Sequence, residues 1–238
     1  MRQVSNYIFS IVYYLSLSYF TYLMVLISLQ YIPIQFDVAF LNIKQDEIQN
    51  RYYQIAFFSH VYTSIFVLIA GIIQCSELIR NKTPLVHRVS GKLYIFLVLC
   101  IASPSGFIMA LHANGGLFSK LSFSIQAVLW FLFTYLAYKY IKKKEWVKHR
   151  NFMLRSYALT LSAISLRLFK WMIVTAFELP PMDTYKIVAW LGWTINLMMV
   201  EIYLMNKKAT FNNDNIPNNS YRKAGFEADS INRYSKNN

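Results

Sequence analysis

YYQIAFFSHVYTSIFVLIAGIIQCS, residues 52–76, runs for 25 residues without an Asp, Glu, Lys or Arg. A helix crosses the hydrocarbon of a bilayer in about 20 predominantly apolar residues, so this stretch is long enough to span. Two further runs, 3–36 and 93–119, are equally free of charge. A fourth, 121–138, is just long enough, and two more, around 153–177 and 186–206, are apolar but interrupted by charge. The reading is an all-α polytopic transmembrane helix bundle of about six spans. They are placed near 7–30, 52–76, 91–112, 119–141, 151–177 and 185–206.

Composition agrees. The chain has 238 residues, 56% hydrophobic and 15% charged, against about 25% charged in globular proteins, which excludes a soluble fold. The first run far exceeds the roughly 7–15 apolar residues of a signal peptide, and no A-x-A-like site follows it, so a retained helix is expected. Residues 1–50 then hold the first span and a polar extracytoplasmic loop long enough to cap the bundle, and 51–206 hold a five-helix membrane core. The Asn-, Lys- and Ser-rich stretch 207–238 buries too little apolar surface to order itself and is expected to be a disordered tail. Cys75 and Cys100 fall inside expected spans, 25 residues apart. That spacing offers no disulfide framework or metal pattern, and both are read as packing residues.

A net charge of +13 would suggest nucleic acid for a soluble domain. Here placement matters more than the sum, and no nucleic-acid partner is expected. Seventeen Lys and Arg, including Arg80, Lys82, Arg88, Lys92, the run 139–150 and six in the tail, fall on one side; Lys44, Arg51, Lys120 and Lys186 fall on the other. The positive-inside rule puts both termini in the cytoplasm of a cell membrane, with the basic loops against anionic headgroups. The two large basic loops also align without gaps, Ile79-Arg80-Asn81-Lys82 through His87-Arg88 against Ile141-Lys142-Lys143-Lys144 through His149-Arg150. A parallel repeat of helix pairs and chance likeness of two basic loops both fit.

All four histidines sit in or beside the spans. His60 lies about eight residues inside the outer end of its helix, roughly 12 Å, and His112 is at the outer end of the next; His87 and His149 start helices three and five at the cytoplasmic side. Helix five carries Arg155, Arg167 and Lys170, and intramembrane charge is costly and by default functional. His149 and Arg167 are 18 residues apart, five turns of about 27 Å in all, so one polar face runs the length of this helix. Glu201 should reach the depth of Arg155 and pair with it, because a lone buried charge is intolerable. Lys170 can snorkel outward. Pro104, beside Ser103 and Ser105, should kink helix three and free a carbonyl.

His149-Arg150-Asn151-Phe152-Met153-Leu154-Arg155-Ser156-Tyr157-Ala158-Leu159, followed by Arg167, resembles the signature of the uncharacterised membrane family called domain of unknown function 2306. His60 with Gly71 and Gln74, His87-Arg88-x-x-Gly91-Lys92-Leu93-Tyr94, and Trp193, Asn196 and Glu201 are similar to its other landmarks, so that the resemblance covers about 52–205. The family commonly has Trp where this chain has Phe152. The resemblance implies a multi-pass bundle with polar residues at these positions and no defined activity.

The candidate ligand residues are therefore His60, His87, His112, His149, Arg155, Arg167 and Glu201. They support binding or transport of an anionic or lipid-like ligand. Alternatively, the outer and inner histidine pairs hold haem b, with arginines at the propionates, although the unequal depths of His60 and His112 argue against it. In a third reading the polar residues only fix helix packing, as in a membrane scaffold. An intramembrane enzyme using His60 or a His-bound metal with Glu201 is a further reading, which no paired-carboxylate or H-E-x-x-H spacing supports. Nothing in the sequence sets an oligomeric state.

Overall fold

In the computed structural model residues 2–214 are described, with side chains over 11–207. Among them the chain is helical and has no strand. Six helical segments are long and apolar enough to cross a membrane: Ile11–Leu29, Arg51–Cys75, Pro84–Leu111, Gly116–Lys142, Trp146–Phe177 and Pro181–Lys207. They belong to α1 (Arg2–Leu29), α3 (Arg51–Cys75), α5 (Pro84–Leu97) with α6 (Ser103–Leu111), α7 (Gly116–Lys142), α8 (Trp146–Phe177) and α9 (Pro181–Asp214); α2 (Gln45–Ile48) and α4 (Glu77–Lys82) are short connectors. The chain forms two compact units, Met1–Val200 and Glu201–Asn238, and everything described below lies in the first. The disorder expected of the tail concerns mostly 215–238, which lie outside the described residues.

The six-span bundle stands, with spans three, four, five and six starting earlier than expected. Span three begins at Pro84, not near 91, because proline suits a first helical turn: its φ is preset and its missing N–H would have no partner there. The loop before it is itself helical, since Ser76 caps α4 by accepting the Ile79 N–H at 3.3 Å. Apolar periodicity could not show either start, because both run through basic, solvent-facing residues.

Pro104 does distort its helix. A wide turn over Val98–Ala102 separates α5 from α6, which lets the pyrrolidine ring avoid the preceding turn. Side chains take the carbonyls of this region: Ser105 donates to Ile101 at 2.6 Å and His60 to Ala102 at 2.8 Å.

α3 packs on α5 and α6, α6 on α7, α7 on α8, and α8 back on α3 and α1. Tyr94, Val98, Ala102, Trp130, Tyr157 and Trp193 are among the residues of the core they enclose. α3 and α8 meet at Gly71, where a Cβ would lie 2.0 Å from Tyr157 Cε2; small residues permit such approach between spanning helices. Leu15, Phe66, Phe96, Val128 and Met199 point outward and are exposed, a surface suited to lipid and not to water. Cys100 is also exposed, so it faces outward instead of packing in the core; Cys75 is partly buried.

The first loop folds into a cap. A 3₁₀ turn (Ala39–Ile43) and α2 bring Leu41 and Ile48 onto Tyr31, Tyr53 and Phe57. Lys44 is 1% exposed. Its ammonium donates to Glu47 Oε1 at 3.0 Å and to the His112 carbonyl at the end of α6, which fastens the cap to the bundle.

Candidate functional site

Three polar regions occupy the bundle at different depths. The middle one is a ring. Trp130 Nε1–H donates to Thr160 (3.1 Å); the Thr160 hydroxyl has both Tyr94 (2.7 Å) and the Ser156 carbonyl (3.2 Å) within reach, and in the order that gives its proton to Tyr94, Tyr94 donates to Ser156 (2.8 Å). Ser156 then donates to Thr134 (2.7 Å), and Thr134 to the backbone carbonyl of Trp130 (2.7 Å). The circuit starts and ends on Trp130, and all five residues are buried. Hydrocarbon offers no water, so such groups must satisfy one another, and a fully satisfied network rigidifies the packing around it. Ser156 and Thr160 stand 7 and 11 residues after His149, on the helix-five face already picked out by charge, but uncharged hydroxyls do not stand out in a spanning helix.

Toward α8's start, His149 Nδ1–H donates to the Ala137 carbonyl at 2.9 Å. Its Nε2 is thereby the unprotonated nitrogen. His87 lies near enough for its charge to interact with that of His149, and its Nδ1 is buried without a hydrogen-bond partner. The inner pair thus lies at the same end of the bundle, with no direct contact between the two rings. The outer pair faces different neighbours: His112 turns to Tyr52 (3.0 Å) and packs between Tyr52 and Tyr53, whereas His60 packs on α6 one and two-thirds turns earlier, at Gly106.

His60 sits in the outer region. Its Nδ1–H donates to Ala102, its ring meets Trp130 edge-on at 6.4 Å, and only glycine at 106 leaves room, because a Cβ there would lie 2.9 Å from His60 Cε1. Nε2 is left as an acceptor. Counting from the Gly71–Tyr157 contact, His60 is 11 residues back along α3 and Arg167 is 10 residues forward along the antiparallel α8, so both reach the same depth. Arg167 lies close enough for its charge to act on His60 and on Tyr31. Its side chain is exposed. It donates to its own helix at the Ala163 carbonyl, 2.8 Å away, and among the described residues it has no carboxylate partner. Lys170, one turn on, is exposed and also has no ion-pair partner among them.

Tyr31 lies in the cap, against Leu41, Tyr53 and Phe57. It is 4% exposed; its hydroxyl accepts the Phe40 N–H at 3.3 Å, and its carbonyl accepts the Tyr62 hydroxyl at 2.7 Å. Burial raises its phenol above the ordinary value, against the opposing pull of the Phe40 N–H and the Arg167 charge. Within the cap, burial acts to raise the Glu47 carboxyl, but the Lys44 ammonium outweighs it and holds Glu47 below its ordinary value, with His112 adding a smaller pull.

Arg155 lies over the Phe152 ring at 5.1 Å, a cation–π contact that either aromatic residue, Phe or Trp, could supply. Glu201 belongs to the second unit, and the expected Arg155–Glu201 pair is no part of the site described.

A bundle of lipid-facing helices with a satisfied polar centre and an unpaired cation beyond it defines a multi-pass integral membrane protein. The chain belongs to the family described as predicted membrane protein DUF2306, whose model matches residues 57–204. No curated protein and no solved structure matches it.

Most residues that carry the family likeness are consumed by packing. Gly71 admits Tyr157. Gln74 donates to the His87 carbonyl (2.6 Å) and to Ser90 (2.7 Å) and lies against Gly91. Trp193 donates to Ser122, and Asn196 binds Ser165 and the Ala158 carbonyl. Arg167 and His60 Nε2 remain without such a use.

Proposed function

We propose that the outer half of the bundle binds an anionic amphiphile, its charged group on Arg167 and its tail along the lipid-facing helices. One observation carries this reading: Arg167 lies well inside a spanning helix, exposed, with no carboxylate among the described residues to neutralise it. A charge in that position is costly, and its counter-ion must then come from a ligand. Guanidinium groups hold carboxylate or phosphate oxygens through paired N–H donors, and His60 Nε2 offers one acceptor beside them. Transport of the same ligand would use the same site. Both termini are proposed to lie in the cytoplasm of a cell membrane, on the count of basic loop residues.

The test uses the purified protein in nanodiscs containing phosphatidylglycerol or only phosphatidylcholine. Native mass spectrometry should show one retained phosphatidylglycerol, and Arg167→Gln should weaken its retention about tenfold, the value of one charge-assisted contact. Equal retention by wild type and variant would overturn the reading.

A second reading has its own support. His149 with Nδ1 fixed on a carbonyl and Nε2 bare is oriented as an axial ligand, and His87 stands nearby on α5. Haem b between them would give the purified protein a Soret band that His149→Leu removes. A well-folded preparation without that band, even after haem is supplied, would exclude it. A pure scaffold role is favoured by the ring and by the landmark contacts, and it predicts no ligand effect of Arg167.

A further inference from the structure

We infer that the ligand's charged group is a dianionic phosphoryl group, held jointly by Arg167, Lys170 and Tyr31. The inference rests on the anion-binding reading above and names its chemical class. Arg167 and Lys170 are three residues apart on α8, neighbours on a helix surface at about 5–6 Å between Cβ atoms. Neither has an ion-pair partner among the described residues. Two like charges placed so repel each other; a single monoanion would neutralise one and leave the other.

The donor set agrees. Arg167 presents five N–H groups, of which one hydrogen bond, to Ala163, is made within the protein. Lys170 adds three. The Tyr31 hydroxyl accepts from Phe40 but has no acceptor for its own proton, although the residue is 4% exposed and Arg167 lies close by. The donors thus come from α8 and from the cap, and His60 Nε2 adds an acceptor at the depth of Arg167. A carboxylate has two oxygens to offer such a set. A phosphate monoester has three strong acceptor oxygens and a charge of about −1.5 to −2 at pH 7. The phosphoryl group can belong to a lipid headgroup or to a free phosphate or soluble phosphate ester from the water phase.

The experiment compares dioleoyl phosphatidate, a monoester, with dioleoyl phosphatidylglycerol, a diester of single charge, in phosphatidylcholine nanodiscs. At about pH 8, above the second phosphate pKa of about 6, wild type should retain phosphatidate about tenfold better than phosphatidylglycerol. Lys170→Gln and Tyr31→Phe should each shrink that preference severalfold while leaving phosphatidylglycerol retention in place. Glycerol 3-phosphate and inorganic phosphate form the water-borne arm: competition by either at millimolar concentration identifies a soluble phosphoryl ligand, and its absence identifies the lipid. Equal, Arg167-dependent retention of the two lipids would overturn the phosphoryl assignment and leave the anion site standing. Retention indifferent to Arg167 would overturn both. A change of Lys170 that lowers both lipids equally would also count against the assignment, because it would show a general surface charge.

Discussion

Two polar regions of the same bundle solve the burial of polarity in opposite ways. In the Trp130 ring every hydroxyl gives its proton to a neighbour and the last gives it to the carbonyl of the first residue. Seven residues beyond Thr160 on α8, about 10 Å further along the helix, Arg167 presents a full charge to a space where the protein supplies one backbone oxygen. The first is closed and has no valence to spare; the second is open and needs an atom that this chain does not provide. Polarity in a spanning helix is thus no guide to function until the partners are counted.

The largest effect should come from the contact that sets both regions in register. Gly71→Val places a branched side chain where even a Cβ would be 2.0 Å from the Tyr157 ring. α3 and α8 would have to separate, undoing the alignment of His60 with Arg167. Overpacking of this kind costs about 1–3 kcal/mol, occasionally more, and the expected result is loss of monodisperse protein in detergent. Gly71→Ala should be milder. Normal expression and a normal melting curve for the valine variant would mean that the helices do not meet there.

Thr160→Val tests the closed region. The substitution keeps the shape, leaves the Trp130 N–H without an acceptor and removes the donor to Tyr94, so about 1–3 kcal/mol of stability should go. In a chain of this size that is a melting midpoint lower by roughly 2–10 °C. Lipid retention at Arg167, two turns away, should persist. The comparison breaks if Thr160→Val abolishes lipid binding with no change in melting.

Arg167→Leu should do the reverse. With no carboxylate to orphan, removing the charge relieves a cost that insertion scales put at about 2.5–3.5 kcal/mol at mid-membrane. The melting midpoint in lipid-free detergent should hold or rise, while anionic-lipid retention falls. A destabilised leucine variant would show that Arg167 already has a structural partner and that the outer region is as closed as the ring.

The spans were legible because hydrocarbon imposes one demand, about 20 apolar residues, that residues 52–76 or 93–119 meet on inspection. The open region was partly legible for the same reason: Arg167 and His60 stand out against such a background. Serine and threonine do not, being tolerated in any spanning helix; Thr134, Ser156 and Thr160 become a ring only when Tyr94 and Trp130 are brought from other helices. Spacing along α8 held a partial signal, since Ser156, Thr160 and Arg167 follow His149 on one face. The cap was the least legible. Lys44 counted as an outer-loop charge, yet its acceptor on His112 is 68 residues away, a distance across which no local pattern operates. For the same reason the sequence groups His60 and His112 only as the outer histidines, at unequal depths, and cannot show that they face different neighbours in space.

The smallest effect belongs to the cap that holds Tyr31. Glu47 is held below its ordinary value chiefly because Lys44 outweighs the cost of burial. A carboxyl whose folded value is depressed binds fewer protons than its unfolded counterpart. Its contribution is therefore complete above the ordinary glutamate range, and it declines as the pH falls through that range and the folded value beneath it. Wild type should accordingly lose melting midpoint on acidification relative to Glu47→Gln, which keeps a hydrogen-bond acceptor for Lys44 but has no proton to gain. Phosphatidylglycerol retention measured over the same pH interval distinguishes a fixed roof from a lid. If retention follows the cap's melting in wild type and is flat in Glu47→Gln, the Lys44 fastening holds Tyr31 over Arg167; if the two proteins melt in parallel at every pH, Glu47 contributes nothing to the cap.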